Sequence, residues 1–394
     1  MWGDIAIAFM IAFATAFMAT PYTIRFAKKV GAVDTPQDPR RINKVTMPRL
    51  GGLAVILGFF LSIAYLTIVL TIEKKIDIFQ DNLYMKLIGF VLGEIVIGIV
   101  CFYDDIKGTP AIIKLIFQII AAIIVVNFGI RIDFFEIGGF SIPMENILFY
   151  NIFSVLWIVG ITNALNLIDG LDGLSTGISI ISCISLLIIF ALNDSPLISI
   201  ILITSLCGAL VGFLPYNFNP AKTFIGDTGS NFLGYCLSII SILGIAKTYT
   251  AIVVVAPILV LALPLFDTIF AVIRRIIKGK NLKAVIEPDA GHLHHKMIQK
   301  GFTQKQAVLT LYAFSASFGM FAIILLDSGI WKALSFGIIM LVVISMGYKE
   351  FVKQKLLSDD CEEKQILNKE KIEDENSNKN FDNIEDIEKY RKMN

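Results

Sequence analysis

Charge is scarce in this chain of 394 residues: Asp, Glu, Lys and Arg make up 17% of it, against 56% hydrophobic residues and a mean hydropathy of +0.73. That balance excludes an ordinary soluble domain, in which about a quarter of the residues carry charge. Cysteine is scarce too, and its five copies, Cys101, Cys183, Cys207, Cys236 and Cys361, are scattered, four of them in apolar segments. Such spacing excludes a disulfide framework or a thiolate metal site and suits small buried residues. No basic n-region precedes the apolar run that opens at MWGDIAIAFM and continues to about Tyr22, so a helix that stays in place is expected rather than a cleaved signal. No solenoid-type repeat is present.

What the chain has instead is one apolar run after another. Crossing ~30 Å of hydrocarbon takes ~20 apolar residues, and a backbone in lipid must satisfy its own hydrogen bonds, so these runs fold as helices. Eleven spans are expected near 4–23, 50–72, 84–102, 111–128, 148–165, 175–192, 197–215, 231–246, 250–273, 306–326 and 330–348, which describes an all-α, polytopic integral membrane protein. The stretch Arg25 to Arg49 carries seven basic residues and Arg274 to Lys305 eight, while only Lys74, Lys75, Lys86, Arg131, Lys247 and Lys332 lie near the opposite side. The bias puts both rich loops in the cytoplasm, the N-terminus outside and the C-terminus inside. Residues 1–348 are then the membrane domain. Residues 349–394, with ten basic and thirteen acidic side chains and no sustained period, are expected to be a disordered cytoplasmic tail. Removing that tail's charge of −3 from the total of +1 leaves +4 on the membrane domain, which suits a face that meets anionic lipid or phosphate.

Under this topology five polar segments converge on the cytoplasmic face: NKVTMPRLGG (43–52), FYDDIKG (102–108), NALNLIDGLDGL (163–174), YNFNPAKTFIGDTGSN (216–231) and PDAGHLHHKM (288–297). Asn163, Asn166, Asp169 and Asp172 recur every three residues, so neighbours meet on a helix surface, while Gly170 and Gly173 weaken that helix and mark its end. Carboxylates so close to lipid depth are costly and point to function. The two amides suit hydrogen bonds between helices equally well. Asp104 and Asp105 close the third span, where a carboxylate pair opposes the helix dipole unless a cation compensates. In FIGDTGSN, Gly226 and Gly229 allow close backbone approach, Asp227 offers oxygen to a hard cation, and Ser230 opens a helix whose N-terminus attracts phosphate. His292, His294 and His295 are the only histidines in the chain. They match no common zinc spacing, so hydrogen bonds to phosphate oxygens fit them better. Lys44 and Arg49 place positive charge beside the Gly51–Gly52 entry into the membrane.

Several aspartates without cysteine ligands specify a hard divalent cation, Mg²⁺ by default with Mn²⁺ as a substitute. With Lys, Arg, histidines and a glycine-adjacent helix start, the inventory suits phosphoryl transfer from a nucleotide diphosphate to a membrane acceptor. These segments resemble those of the polyprenyl-phosphate N-acetylhexosamine-1-phosphate transferase family, of glycosyltransferase family 4 type. The DD pair, NALNLIDGLDGL, FIGDTGS and HLHH stand in the family's order, and the resemblance covers roughly residues 1–345. It implies attack by undecaprenyl phosphate on the β-phosphorus of a UDP-sugar with release of UMP. Such a reaction is the first lipid-linked step of a cell-envelope glycan, teichoic acid or O-antigen, at a bacterial plasma membrane. Carried over by position, the resemblance implies Asp227 as the first Mg²⁺ ligand, with Asp104 and Asp105 beside the lipid phosphate as base or further metal contacts. It also implies that Asp169 and Asp172 organise the metal and nucleotide side, that Asn217 lies near the metal, and that Asn166 faces the nucleotide. His292, His294, His295 and Lys44 then contact phosphates or sugar, and Arg49, Asn163, Gly226 and Ser230 complete the substrate-binding set.

The related transferase of peptidoglycan synthesis, which uses UDP-MurNAc-pentapeptide, has three consecutive histidines where Leu293 interrupts the run here, so UDP-GlcNAc is the expected donor. The pair DDIKG also lacks a third aspartate. An ion-coupled transporter is a competing class, but its sites belong near the bilayer midplane. A silent scaffold acting through the charged tail is a third. Membrane lipids are the remaining partners, no nucleic acid is expected, and a homodimer is left open.

Overall fold

The computed structural model describes residues 2–35, 46–77, 82–133, 136–137, 140–141, 146–245, 251–279 and 291–345. Met1–Ala333 form one compact unit and Leu334–Asn394 a second. Lys44, the boundary expected after residue 348 and the charged tail lie outside the described residues.

The apolar runs fold as helices close to where they are expected. In chain order these are α1 (Trp2–Val30), α2 (Gly52–Ile72), α3 (Leu83–Lys107), α4 (Ala111–Asn127), α5 (Ile147–Ile168), α6 (Leu174–Leu192), α7 (Leu197–Asn217) and α8 (Gly226–Ile245). They continue with α9 (Ala251–Val260), α10 (Ala262–Gly279), α11 (Leu293–Gln299), α12 (Gln304–Ser328) and α13 (Ile330–Ser345). Among the described residues seven of them, α1, α2, α3, α5, α6, α7 and α12, are long and apolar enough to cross a bilayer, and α4 and α13 are shorter apolar helices. The run expected as a single span at 250–273 is divided at Leu261. Pro264 has no N–H for the carbonyl of Val260 and its ring crowds that oxygen, which favours a break there. Two short antiparallel pairs accompany the helices: β1 (Val33–Asp34) with β2 (Met47–Pro48), and β3 (Glu136–Ile137) with β4 (Phe140–Ser141).

A helix in a membrane protein can turn its apolar faces either to lipid or to other helices, and burial tells the two apart. Accordingly α7 and α8 form the centre: Ile203, Leu206 and Leu210 of α7 and Phe232, Tyr235 and Ile239 of α8 are fully buried. α1 and α2 pack on α7, α3 and α5 on α8, and α6 between α7 and α12. Lipid offers no hydrophobic drive between helices, so close approach through small residues holds them. Ala8, Ala12 and Ala16 make a buried face of α1, where Gly208 and Gly212 of α7 meet the carbonyls of Phe9 and Phe13. Ser62 of α2 donates to the Ala8 carbonyl at 2.8 Å and shares a hydrogen bond with Ser205 of α7 at 2.9 Å.

This packing brings the C-terminal ends of α3, α5 and α7 to the N-terminal ends of α4, α6 and α8, so three of the five polar segments meet at one end of the bundle, where Arg49 of 43–52 and His294 of 288–297 join them. A Cβ at Gly212 collides with the Phe13 carbonyl, whereas one at Gly160 of α5 meets nothing within 4 Å. Both Gly→Ala changes gain the same helix propensity, ~1 kcal/mol. Gly212→Ala is therefore expected to be less stable than Gly160→Ala by about 1–3 kcal/mol, seen as a lower thermal midpoint in detergent. Equal midpoints would rule out the close α1–α7 approach.

Candidate functional site

The site is built on the start of α8. Gly226 has φ +72°, and a side chain there would run into the Arg49 carbonyl and the Asp105 carboxylate. The chain before it is laid against residues 48–52: Phe224 N–H donates to the Pro48 carbonyl at 2.8 Å, and Gly51 and Gly52 donate to the carbonyls of Phe224 and Ile225 at 3.0 and 2.9 Å. Gly52 can approach because it faces Gly229, where any Cβ would collide.

Asp105 spans from α3 to this turn. Its Oδ1 accepts Asp227 N–H at 2.9 Å, and its Oδ2 accepts Thr228 N–H at 2.9 Å and the Thr228 hydroxyl at 2.6 Å. The carboxylate thus caps α8 from another helix and meets the positive end of its dipole. Asp104 turns the other way. Lys114 Nζ of α4 donates to Asp104 Oδ2 at 3.1 Å and also to Asp227 Oδ2, bridging the two carboxylates. Arg49 completes the cluster, with Nε 3.6 Å from Asp105 Oδ1 and Nη2 3.6 Å from Asp227 Oδ1. The cations that a carboxylate pair at a helix C-terminus requires are therefore Arg49 and Lys114.

A chain of amides supports Asp227. Asn163 donates to Gln118 Oε1 at 2.5 Å, Gln118 to Asn231 Oδ1 at 2.7 Å, and Asn231 to the Asp227 carbonyl at 2.8 Å. Asn166 donates to the Ser230 hydroxyl at 2.9 Å. Asn163 and Asn166 thus link α5 to α4 and α8. Asn217 is buried, accepts from Thr176 at 2.7 Å and donates to the Thr223 carbonyl at 3.0 Å, so it shapes the turn that leads to α8.

The α5–α6 link carries the other two acids. Asp169 Oδ1 accepts the Ser175 hydroxyl at 2.5 Å, and Asp172 Oδ2 accepts from Asn219 at 3.0 Å and from Ala221 N–H at 3.2 Å. Burial pushes the Asp169 pKa up to about 7, against the opposing Ser175 hydrogen bond. With Arg49, Gly226, Asp227 and His295, these two acids line a cleft of about 290 Å³. His294 packs directly on Gly170. Its pKa falls to about 3, chiefly through burial and further through His295, so the ring is neutral. Asp172 Oδ1 and both His294 ring nitrogens are buried without a partner among the described residues. Polar atoms left so are costly until a ligand or water meets them. His292 is held differently, its Nδ1 2.9 Å from Asp267 Oδ2.

The donor set fits a hard divalent cation. Asp104 and Asp227 both direct Oδ2 at the Lys114 ammonium, and the three carboxylates of Asp104, Asp105 and Asp227 outnumber the two cations, Arg49 and Lys114, so the cluster keeps a formal charge of −1. No group of three or more His, Cys, Asp or Glu closes round a metal among the described residues. Asp105, expected as base or metal contact, has both oxygens engaged at the start of α8. Lys114, Gln118, Thr228, Asn219 and Asp267 were not anticipated. Lys114 and Gln118 stand one helical turn apart as polar residues of an otherwise apolar run, which is a legible signal.

The sequence profile of glycosyl transferase family 4 matches residues 87–245. The probable undecaprenyl-phosphate N-acetylglucosaminyl 1-phosphate transferase of Bacillus subtilis (strain 168) is 37% identical over 351 residues, 87% of this chain and 90% of that protein. The decaprenyl-phosphate N-acetylglucosaminephosphotransferase of Mycobacterium tuberculosis is 27% identical over 333 residues, 78% of this chain and 79% of that protein. The phospho-N-acetylmuramoyl-pentapeptide-transferase of Staphylococcus epidermidis is 36% identical over 254 residues, only 59% of this chain and 74% of that protein.

The raised Asp169 pKa makes stability depend on pH. Unfolded, the group titrates near 3.8, so between about pH 4 and 7 the native state holds the extra proton, and stability falls as pH rises through that window. In chelator-treated protein the stability is expected to fall from pH 5 to pH 7.5 by an amount on the order of 1–3 kcal/mol, seen as a lower thermal midpoint. Asp169→Asn should flatten that part of the slope, and an unchanged slope in the variant would remove Asp169 as its source.

Proposed function

The chain belongs to glycosyl transferase family 4, and from that membership we propose that it transfers GlcNAc-1-phosphate from UDP-GlcNAc to undecaprenyl phosphate, releasing UMP. The observation that carries this reading is the meeting of Asp104, Asp105 and Asp227 with Arg49 and Lys114 at one end of a membrane bundle. An acceptor oxygen attacks the β-phosphorus, a new P–O bond forms to the sugar phosphate, and the α–β bridging oxygen leaves with UMP. One diphosphate bond replaces another, so the protein's task is to align two anions and offset their repulsion.

Arg49 and Lys114 supply fixed positive charge where phosphate oxygens meet. Asp104 and Asp227 would hold Mg²⁺, or Mn²⁺ in its place, which when bound neutralises the diphosphate. Asp105 keeps the α8 turn in position, so that Asp227 and the Gly226 backbone face the cleft. Asp169, Asp172 and Asn166 orient the nucleotide side, and His292, His294 and His295 meet phosphate or sugar oxygens. We assign this end of the bundle to the cytoplasmic face, because the basic stretch Arg25–Arg49 leads into it. An outside N-terminus follows from the same bias, while the eleven spans rest on the apolar runs and the bacterial plasma membrane on the family's setting. GlcNAc is favoured over the pentapeptide donor because the N-acetylglucosaminyl transferase match extends over 87% of the chain, the pentapeptide-transferase match over 59%.

A panel of UDP-sugars offered to purified protein with undecaprenyl phosphate and Mg²⁺ tests this reading. UMP should appear with UDP-GlcNAc and stop on chelation; release only with UDP-MurNAc-pentapeptide would assign the chain to the other branch. Asp227→Asn is expected to lower turnover about a thousandfold, and Lys114→Gln about a hundredfold. Unchanged rates in Asp227→Asn would overturn the assignment of its carboxylate.

A further inference from the structure

Asp267 lies in α10, outside every polar segment that marks the site, yet its carboxylate makes two directed contacts with the histidine segment. Oδ1 accepts the Leu293 N–H at 2.8 Å, and Oδ2 lies 2.9 Å from His292 Nδ1. Both side chains are shut away, at 9% exposure for Asp267 and 5% for His292. Two contacts from one rigid carboxylate fix both the main chain at the start of α11 and the ring. The His292 ring also lies nearly parallel to that of His294, at an interplanar angle of 10° and 5.8 Å between centroids. Other charged or titratable groups near it are His294, His295 and Arg274, whose guanidinium packs on Gly291.

We propose that Asp267 is the positioning residue of the histidine segment, holding His292 with its proton on Nδ1 so that Nε2 is the atom offered to substrate. A carboxylate on one imidazole nitrogen selects the tautomer, fixes the ring and stabilises the imidazolium form when Nε2 takes a proton. Nε2 can then accept a hydrogen bond, or donate one to a phosphate oxygen after gaining a proton. Asp267 touches no substrate and acts only through His292. This inference rests on the reading of His292 as a substrate contact.

A double-mutant cycle separates this role from a structural one. In the wild-type background Asp267→Asn is expected to lower kcat/KM about thirtyfold, and in the His292→Ala background less than about twofold, because the group it acts through is gone. An equal loss in both backgrounds, or no loss in either, would overturn the proposal. Asp267→Glu, which keeps the charge but shifts it by one methylene, serves the same cycle if Asp267→Asn does not fold. The cycle uses whichever UDP-sugar the wild-type protein turns over, so a wrong sugar does not disturb it. If no donor is turned over, the proposed reaction fails, and carbethoxylation of His292 by diethyl pyrocarbonate, read by peptide mass mapping, still decides this point. Release of the ring in Asp267→Asn should change the His292 labelling rate severalfold relative to His295, and an unchanged ratio would count against the proposal.

Discussion

The carboxylate of Asp105 set against the first turn of α8 is the contact on which the rest of the site depends. A carboxylate at the C-terminal end of α3 is unfavourable by itself, because it meets the negative end of that helix's dipole. Here three donors from Asp227 and Thr228 receive it, at the positive end of α8, so two awkward helix termini satisfy each other. That contact joins α3 to α8, and it brings Asp104 and Asp227 to the same Lys114 ammonium. Lys114 then has a reason to be half-buried: it offsets two carboxylates that would otherwise repel each other in a poorly solvated place.

Function and packing share the same glycines. Gly52 and Gly229 allow α2 and α8 to touch, Gly226 admits a turn that no side chain would tolerate, and Gly170 makes room for the His294 ring. The α5–α6 link is held by Ser175, Asn219 and Ala221, so Asp169 and Asp172 are oriented by hydrogen bonds to α6 and to the turn after α7. Amides prepare the other flank, since the chain Asn163–Gln118–Asn231 ends on the Asp227 carbonyl. The site is assembled from six helix ends, and most of its buried polar side chains find their partners on a different helix.

Much of the fold was legible because membrane spans obey a length and a composition rule. Among the described residues each expected run lies largely on helix, seven of the helices are long and apolar enough to cross a bilayer, and the run at 250–273 is divided at Leu261, three residues before Pro264. The polar segments were legible for a related reason: acids and amides beside long apolar runs are costly and stand out. Lys114 and Asp267 were harder, since a single charge in an apolar run reads as a topology signal or an isolated exception until its partner is known.

By itself the sequence determined the class of protein, the positions of the spans and the set of polar segments that belong together, because hydrophobicity and charge act over short stretches of chain. Only the tertiary structure decided the division of labour among the acids. Asp104 and Asp105 are neighbours with the same chemistry, yet the first faces Lys114 and the second caps α8, a difference of side-chain direction that sequence does not carry. The same holds for His292 and His294, one tied to Asp267 and the other packed neutral on Gly170. Proton positions and ion pairing depend on what lies within a few ångströms, and those neighbours come from distant parts of the chain.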